Sequence, residues 1–378
     1  MNFLFVFSRL HPNYYASIEA LAEKHNVKCL VGRIESQTDN NEIDIHQYRE
    51  SIFSKLLWQI TKNSLPRSKF EFRYKHSSLF MALITLVDYK ADILVIRKNC
   101  KINFIYYTLA AKLLGVKVIQ YTDTFLDSQT NPISRFGIIK IYPVNWGFAK
   151  KNTKKYHIPL TIKSSHFQKK EYKKDGVLKI IHVGKFIKRK GQFLLLKALK
   201  LIKDKIPLEI HFYGDYGFHN DDDYQQQISH FIQNNSLKEK IIFHKNISPN
   251  KMYLEYRKYD LFVYSGYVNK EKYSFSTTNN IAPDGEAGTK LYSLIEAMNE
   301  SLPVIVASEK NVSGIVSDGK DGFVFENFSE QDLAQKIHQA YYSDLATMGR
   351  YAKNKISHRN NPSTFVAKIT NIVENNFN

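Results

Sequence analysis

Two cysteines, Cys29 and Cys100, are all that 378 residues contain. They stand far apart and fit no metal-ligand spacing, so a disulfide scaffold is excluded and a reducing compartment is expected. Glycine (16) and proline (10) are sparse, which excludes collagen-like and low-complexity classes. No apolar run approaches the ~20 residues that span a bilayer. The opening MNFLFVFSRLHPNYY has no basic leader and meets Arg9 after a short apolar run, so it reads as a buried first strand rather than a signal peptide. The expectation is a cytoplasmic protein, free or peripheral on the inner face of a membrane. Acidic residues are also short, 36 against 54 Lys and Arg, for a net charge of +18. Residues 1–175 hold 28 basic and 14 acidic residues, or +14; the remainder holds 26 and 22, or +4. The first half therefore faces an anionic partner or surface. It carries neither an aromatic RNA-binding motif nor zinc-finger spacing, so nucleic acid is not expected.

What is present is alternation. Short apolar runs at 3–7, 27–32, 92–96 and 116–121 predict strands in the first half, with helical patterns at 17–25 and 102–115. In the second half strands are predicted at 178–183, 208–213, 240–244, 261–264, 303–306 and 322–325. Helices are predicted at 191–203, 223–235, 249–259, 289–299 and 329–343. Strand–helix alternation of this kind predicts an α/β protein with parallel sheets covered by helices, built twice. The basic, weakly periodic stretch 150–176 reads as the join. The predicted domains are 1–165 and 176–362, and the helical segment 363–378 is expected to pack back across the first.

One segment stands apart. SIFSKLLWQITK (51–62) puts Ile52, Phe53, Leu56, Leu57 and Ile60 on one helical face, and residues 51–80 hold six Lys or Arg and one acid. Periodicity leaves two readings open: a core-facing helix with a basic outer side, or an interfacial helix on an anionic membrane.

Two stretches carry chemistry. In LKIIHVGKFIKRKGQFLLLKAL (178–199) a buried strand ends at Gly184 and leads into Lys185, then Lys188-Arg189-Lys190-Gly191, then a helix. A basic loop at the carboxyl end of a parallel strand is where anions bind in open α/β sheets, and lysine supplies point charges to phosphate oxygens. In DGEAGTKLYSLIEAMNESLPVI (284–305) the i, i+3, i+4, i+7 set Leu291, Leu294, Ile295 and Met298 defines a helix. Its start near Gly288, Thr289 and Lys290 offers free backbone N–H groups and the positive dipole end to a diphosphate. Glu296 lies off the apolar stripe. Asp221, Asp222 and Asp223 open another helical pattern, where capping accounts for them, and no metal site is expected.

The segment VGKF-IKR-KG resembles the V-G-R-L-x-x-x-K-G of GT-B glycosyltransferases of the retaining family-4 type, with Lys185 at the Arg place and Lys190 at the Lys place. IPLTIKSSHF (158–167), YDLFVYSG (259–266) and IEAMNESLPVIV (295–306) resemble, in order and spacing, the family's interdomain, Pro-Ser and E-A-M segments. The resemblance implies two Rossmann-like domains facing a cleft, the GT-B fold, and a hexosyltransferase acting on a nucleotide-sugar, which is a substrate and not a cofactor. It implies that Lys185 and Lys190 hold the diphosphate and that Glu296 accepts ribose hydroxyls. Donor-binding positions are then Gly184, Glu286, Gly288, Thr289, Lys290, Leu291 and Glu296. The family's first acid, eight residues before Glu296, falls on Gly288, and Glu286 is the nearest upstream substitute.

In the first half the family's Gly-rich loop is replaced by SRLHPNYY, which puts His11, Asn13 and Tyr14 at the strand end on the acceptor side. VKVIQYTDTFLD resembles the strand ending in Thr-x-His-Asp; Thr122 takes the His place and Asp123 keeps the Asp place. Asp123 is the candidate base for an inverting reaction, while the resemblance favours retention. The expected acceptor is a saccharide or lipid-linked saccharide of cell-surface polysaccharide assembly (capsule, lipopolysaccharide or exopolysaccharide). A catalytically silent GT-B glycan-binding partner and a sugar-nucleotide epimerase on the same fold are the alternatives.

Overall fold

The computed structural model describes residues 1–10, 14–33, 43–98, 100–122, 138–142, 155–162, 171–214, 222–244, 247, 251–266, 291–308 and 314–377. They form two compact units. One holds Met1–Thr161 and Pro362–Asn378; the other holds Leu291–Asn361 and the described part of Ile162–Thr277.

The first unit contains β1 (Asn2–Arg9), α1 (Tyr15–Ala22), β2 (Asn26–Arg33), β3 (Asp44–Gln47), α2 (Ile52–Thr61), α3 (Arg67–Arg73), α4 (Leu79–Asp88), β4 (Ile93–Arg97), α5 (Lys101–Leu113), β5 (Lys117–Tyr121), β6 (Ile139–Tyr142) and β7 (Lys155–His157). Its strands pair in parallel in the order β3-β2-β1-β4-β5-β6-β7. The central strands β1, β4 and β5 are mostly apolar and buried because helices cover both faces. One core joins Phe3, Phe5, Phe7, Ile18 and Leu21 to Phe365, Ile369 and Val373 of the C-terminal helix. The other joins Leu4, Val6, Leu94 and Ile96 to Leu86, Phe104 and Tyr107 of α4 and α5. Cys29 and Cys100 are buried free thiols, both pushed up by burial.

The second unit contains β8 (Leu178–Val183), α6 (Gln192–Ile202), β9 (Leu208–Tyr213), α7 (Asp222–Asn234), β10 (Ile241–His244), α8 (Met252–Tyr256), β11 (Leu261–Tyr264), α9 (Tyr292–Asn299), β12 (Val304–Ala307), β13 (Gly322–Phe325), α10 (Glu330–Tyr341) and α11 (Leu345–Arg359). Its six strands are parallel, in the order β10-β9-β8-β11-β12-β13. The chain ends in α12 (Pro362–Phe377), which returns to the first unit's core.

Each sheet reverses its strand order once, between β1 and β4 and between β8 and β11. Such a switch point opens a crevice at the carboxyl ends of the strands, where ligands of doubly wound sheets bind.

Three strands and three helices go beyond the sequence expectation. β3 is a polar edge strand, DIHQ, and β7 is three residues long inside the basic stretch read as the join. β6, IKIY, is four residues long and buries Lys140. α3 and α11 mix apolar with polar positions too closely for periodicity to mark them, whereas α4, LFMALITLVD, is apolar almost throughout and shows no one-sided stripe. The helix expected over 249–259 is described only at Met252–Tyr256.

Candidate active site

At the switch point of the second sheet, β8 is followed by Gly184, whose N–H donates to Tyr213 O at 2.9 Å. The chain passes Lys185, turns through one 3₁₀ turn at Lys188–Lys190, and enters α6 at Gly191. Gly191 has φ +75° and lies so close to β11 that a Cβ would sit 1.9 Å from Ser265 O. The Ser265 hydroxyl donates to Gly191 O at 2.8 Å. This contact closes the β8 loop onto the end of β11. Gly191→Ala is expected to destabilise this unit by about 3 kcal/mol or more, because strained φ and a backbone clash act together. A thermal melt checks it, and an unchanged Tm would contradict the close approach.

Lys190 is half-buried, and its stem lies over Gly184, 3.5 Å from where a Cβ would be. Glycine at 184 leaves room for that stem. Its ammonium lies 5.7 Å from the centre of the Tyr264 ring at the end of β11. The Lys190 carbonyl accepts a bond from His182 Nε2 at 3.0 Å. His182 is buried on β8, and its pKa is pushed down to about 4, mainly by burial, while the bond to Lys190 O pulls it up and the Lys190 charge lowers it further. The neutral ring with its proton on Nε2 fits this geometry. A depressed folded pKa means stability that is present above pH 6.5 and lost as the pH falls from 6.5 towards 4, up to about 3 kcal/mol. An NMR titration should find the His182 midpoint near 4; a midpoint near 6.5 would remove the buried neutral imidazole from the account.

Lys185 is exposed, and its carbonyl accepts from Gln192 Nε2 at 2.8 Å. Gln192 is buried and also accepts from the Tyr224 hydroxyl at 3.2 Å. Tyr224 in turn accepts from Phe193 N at 3.1 Å. The basic loop is thus tied to the first turn of α6 and to α7. His182 and Gln192 hold the carbonyls of the lysine loop, contacts that sequence reasoning missed; only their adjacency to the loop hints at them.

Across the crevice, α9 packs against β11 and β12. Leu291 precedes it and is buried, with its carbonyl accepting from Ile295 N at 2.9 Å. Glu296 is half-buried on α9 and accepts from the Tyr256 hydroxyl of α8 at 3.1 Å. Burial is the main cause that raises its carboxyl to about 7; the Tyr256 bond lowers it and the Glu300 charge raises it. Glu300 itself is held by Arg257 Nε at 2.7 Å. A carboxyl raised towards neutrality on the helix after β11 makes Glu296 a candidate site residue. Glu286, Gly288, Thr289 and Lys290 lie outside the described residues.

At the switch point of the first sheet, Tyr14 is buried against the Phe7 and Tyr121 rings, at 5.7 and 5.1 Å. Arg97 at the end of β4 is also buried, with its guanidinium 5.8 Å from the Phe7 ring and 5.3 Å from the Tyr14 ring. A buried arginine at this position is a candidate anion contact that hydrophobic patterning alone did not mark. Thr122 is buried, and its amide donates to Ile141 O at 2.9 Å. His11, Asn13 and Asp123 lie outside the described residues.

The glycosyl transferases group 1 family matches residues 164–358, just over half of the chain, and the protein belongs to that family. Several solved structures share its fold from end to end. HepE of Anabaena, solved with UDP and glucose, is 14% identical over 99% of each chain with a TM-score of 0.69. A glycosyltransferase of Rickettsia africae is 15% identical over 99% of this chain and 98% of its own, with a TM-score of 0.70. A variant of S. aureus TarM, solved with UDP, fondaparinux and alpha-GlcNAc-glycerol, is 13% identical over 98% and 99%, with a TM-score of 0.65. At these identities the likeness establishes the fold, which is GT-B. No curated protein sequence matches the chain significantly.

Proposed function

We propose that this glycosyltransferase moves a hexosyl group from a nucleoside-diphosphate sugar to a saccharide or lipid-linked saccharide, in cell-surface polysaccharide assembly and with retention. The observation that carries the reading is the placement of Lys190 and Glu296 about the β8/β11 switch point, one on the loop after β8 and one on the helix after β11. Lys190 and Lys185 neutralise the diphosphate as the glycosidic bond breaks. Electrostatic help at the developing charge is the main catalytic contribution. Glu296 accepts hydrogen bonds from the ribose hydroxyls, and Tyr256 holds its carboxylate in place. In a retaining reaction the departing phosphate takes the acceptor proton, so no protein base is needed. The UDP held by HepE and by the TarM variant supports a uridine donor.

Gly288, where the family's pattern carries an acid, favours the second reading, a silent glycan-binding GT-B partner. Nucleotide release from UDP-, GDP-, TDP- and CMP-sugars separates the two. A transferase releases the nucleotide of its own donor, and the product's anomeric configuration by NMR reports retention. Silence with every donor in the presence of saccharide acceptors would overturn the transferase reading.

A further inference from the structure

An amphipathic helix on a globular protein normally turns its apolar stripe towards the core. α2 does the reverse. Its buried position is Ser54, whose hydroxyl donates to Glu50 at 2.7 Å. Trp58 meets the tilted Phe70 ring at 5.1 Å and lies under the Arg67 guanidinium at 4.7 Å. The stripe of Ile52, Phe53, Leu56 and Ile60 is left between 57% and 79% exposed. α5 buries one apolar face and exposes a second. Phe104, Tyr107 and Ala111 face the core, while Ile105, Leu109 and Leu113, four residues apart, face outward. α4 lies beside α5 on the same core and exposes Phe80. Phe53 reaches His76 at 5.9 Å, and His76 reaches Tyr106 of α5 at 6.2 Å, so α2 is joined to the same side of the unit.

Single exposed hydrophobics need no explanation, but a contiguous set marks an interaction surface. Residues 52–114 are a sixth of the chain and hold eleven of its twenty exposed large hydrophobics among the described residues. Charge identifies the partner. Residues 52–113 carry eleven Lys or Arg and three acids. Lys55 and Lys62 flank the α2 stripe and Lys101 begins the α5 stripe, all exposed. A second copy of the chain would oppose like charges across such a face. Among the described residues no helix is long and apolar enough to cross a membrane. We propose that the outer faces of α2, α4 and α5 seat the protein on an anionic phospholipid surface, with the apolar stripes in the headgroup region and the lysines on the lipid phosphates. This inference does not depend on the donor chemistry.

Co-sedimentation of the full chain with vesicles tests it. Binding is expected to phosphatidylcholine vesicles containing phosphatidylglycerol, to weaken as salt rises, and to be absent with phosphatidylcholine alone. Leu56→Ser with Ile60→Ser, and separately Lys55→Glu with Lys62→Glu, should each lower partitioning by about tenfold or more. All four side chains are exposed, so Tm should hold; Leu109→Ser on α5 gives a second test independent of α2. No binding to anionic vesicles, or variants that partition like the parent, would overturn the proposal. So would a dimer in sedimentation velocity that the Leu56 and Ile60 changes abolish.

Discussion

Replacing Lys190 by alanine is expected to lower turnover by a factor on the order of 100 while the protein still folds, because one preorganised charge at a developing anion is worth about that much. The ammonium stands at the sheet's switch point, near the Tyr264 ring and on a loop locked from three sides. Gly191 packs on Ser265, Gln192 holds the Lys185 carbonyl, and His182 holds the Lys190 carbonyl. All three locks act on backbone or on neighbouring side chains, so truncating the lysine stem leaves them intact. Lys190→Arg should recover only part of the rate, since the fork needs more room over Gly184 than the lysine stem does. Steady-state kinetics decide the matter. Loss confined to kcat places the charge in the transition state; unchanged kinetics remove Lys190 from the site.

Glu296→Gln is expected to act in opposite directions on stability and on donor affinity. The folded-state pKa of about 7 lies above the ordinary carboxyl value of 4.5. The stability that the neutral form contributes is complete below pH 4.5 and is lost as the pH rises through 7. At pH 8 the half-buried carboxylate therefore disfavours the folded state by up to about 3 kcal/mol. Glutamine removes that penalty, so Tm at pH 8 should rise by several degrees and change little at pH 4.5. Donor affinity should fall by about tenfold, because an amide oxygen is a weaker acceptor for ribose hydroxyls than a carboxylate. For the parent, affinity should increase as the pH rises through 7. Melts at both pH values, with and without nucleotide, check both halves. A variant less stable at pH 8, or one that binds nucleotide as the parent does, would contradict the assignment.

The sheets were legible in the sequence because strands buried on both faces read as continuous apolar runs. LKIIHV, LEIHFY, LFVY and GFVF coincide with β8, β9, β11 and β13 residue for residue. DIHQ and KYH were not legible, since edge strands that short and polar owe their conformation to the neighbouring strand. The lysine loop and Glu296 stood out through motif spacing. Their supports did not. Tyr256 meets Glu296 from forty residues away, and Tyr224 meets Gln192 from thirty-two. Ser301 adopts φ +63° after α9, a left-handed conformation that serine seldom takes and that nothing in the sequence marks. The face of α2 was open on periodicity alone. Burial resolves it, with Ser54 inward and the apolar stripe outward.

The central claim is that the second unit holds the nucleoside diphosphate of a sugar donor at the β8/β11 switch point. Thermal-shift titration with UDP, GDP, TDP and CMP tests it most directly, since a ligand that binds only the folded state raises stability by RT ln(1 + [L]/Kd). The account predicts a saturable rise in Tm with one nucleoside diphosphate, reduced by Lys190→Ala and by Glu296→Gln. No shift with any of the three diphosphates, or a shift that both variants keep in full, would contradict it.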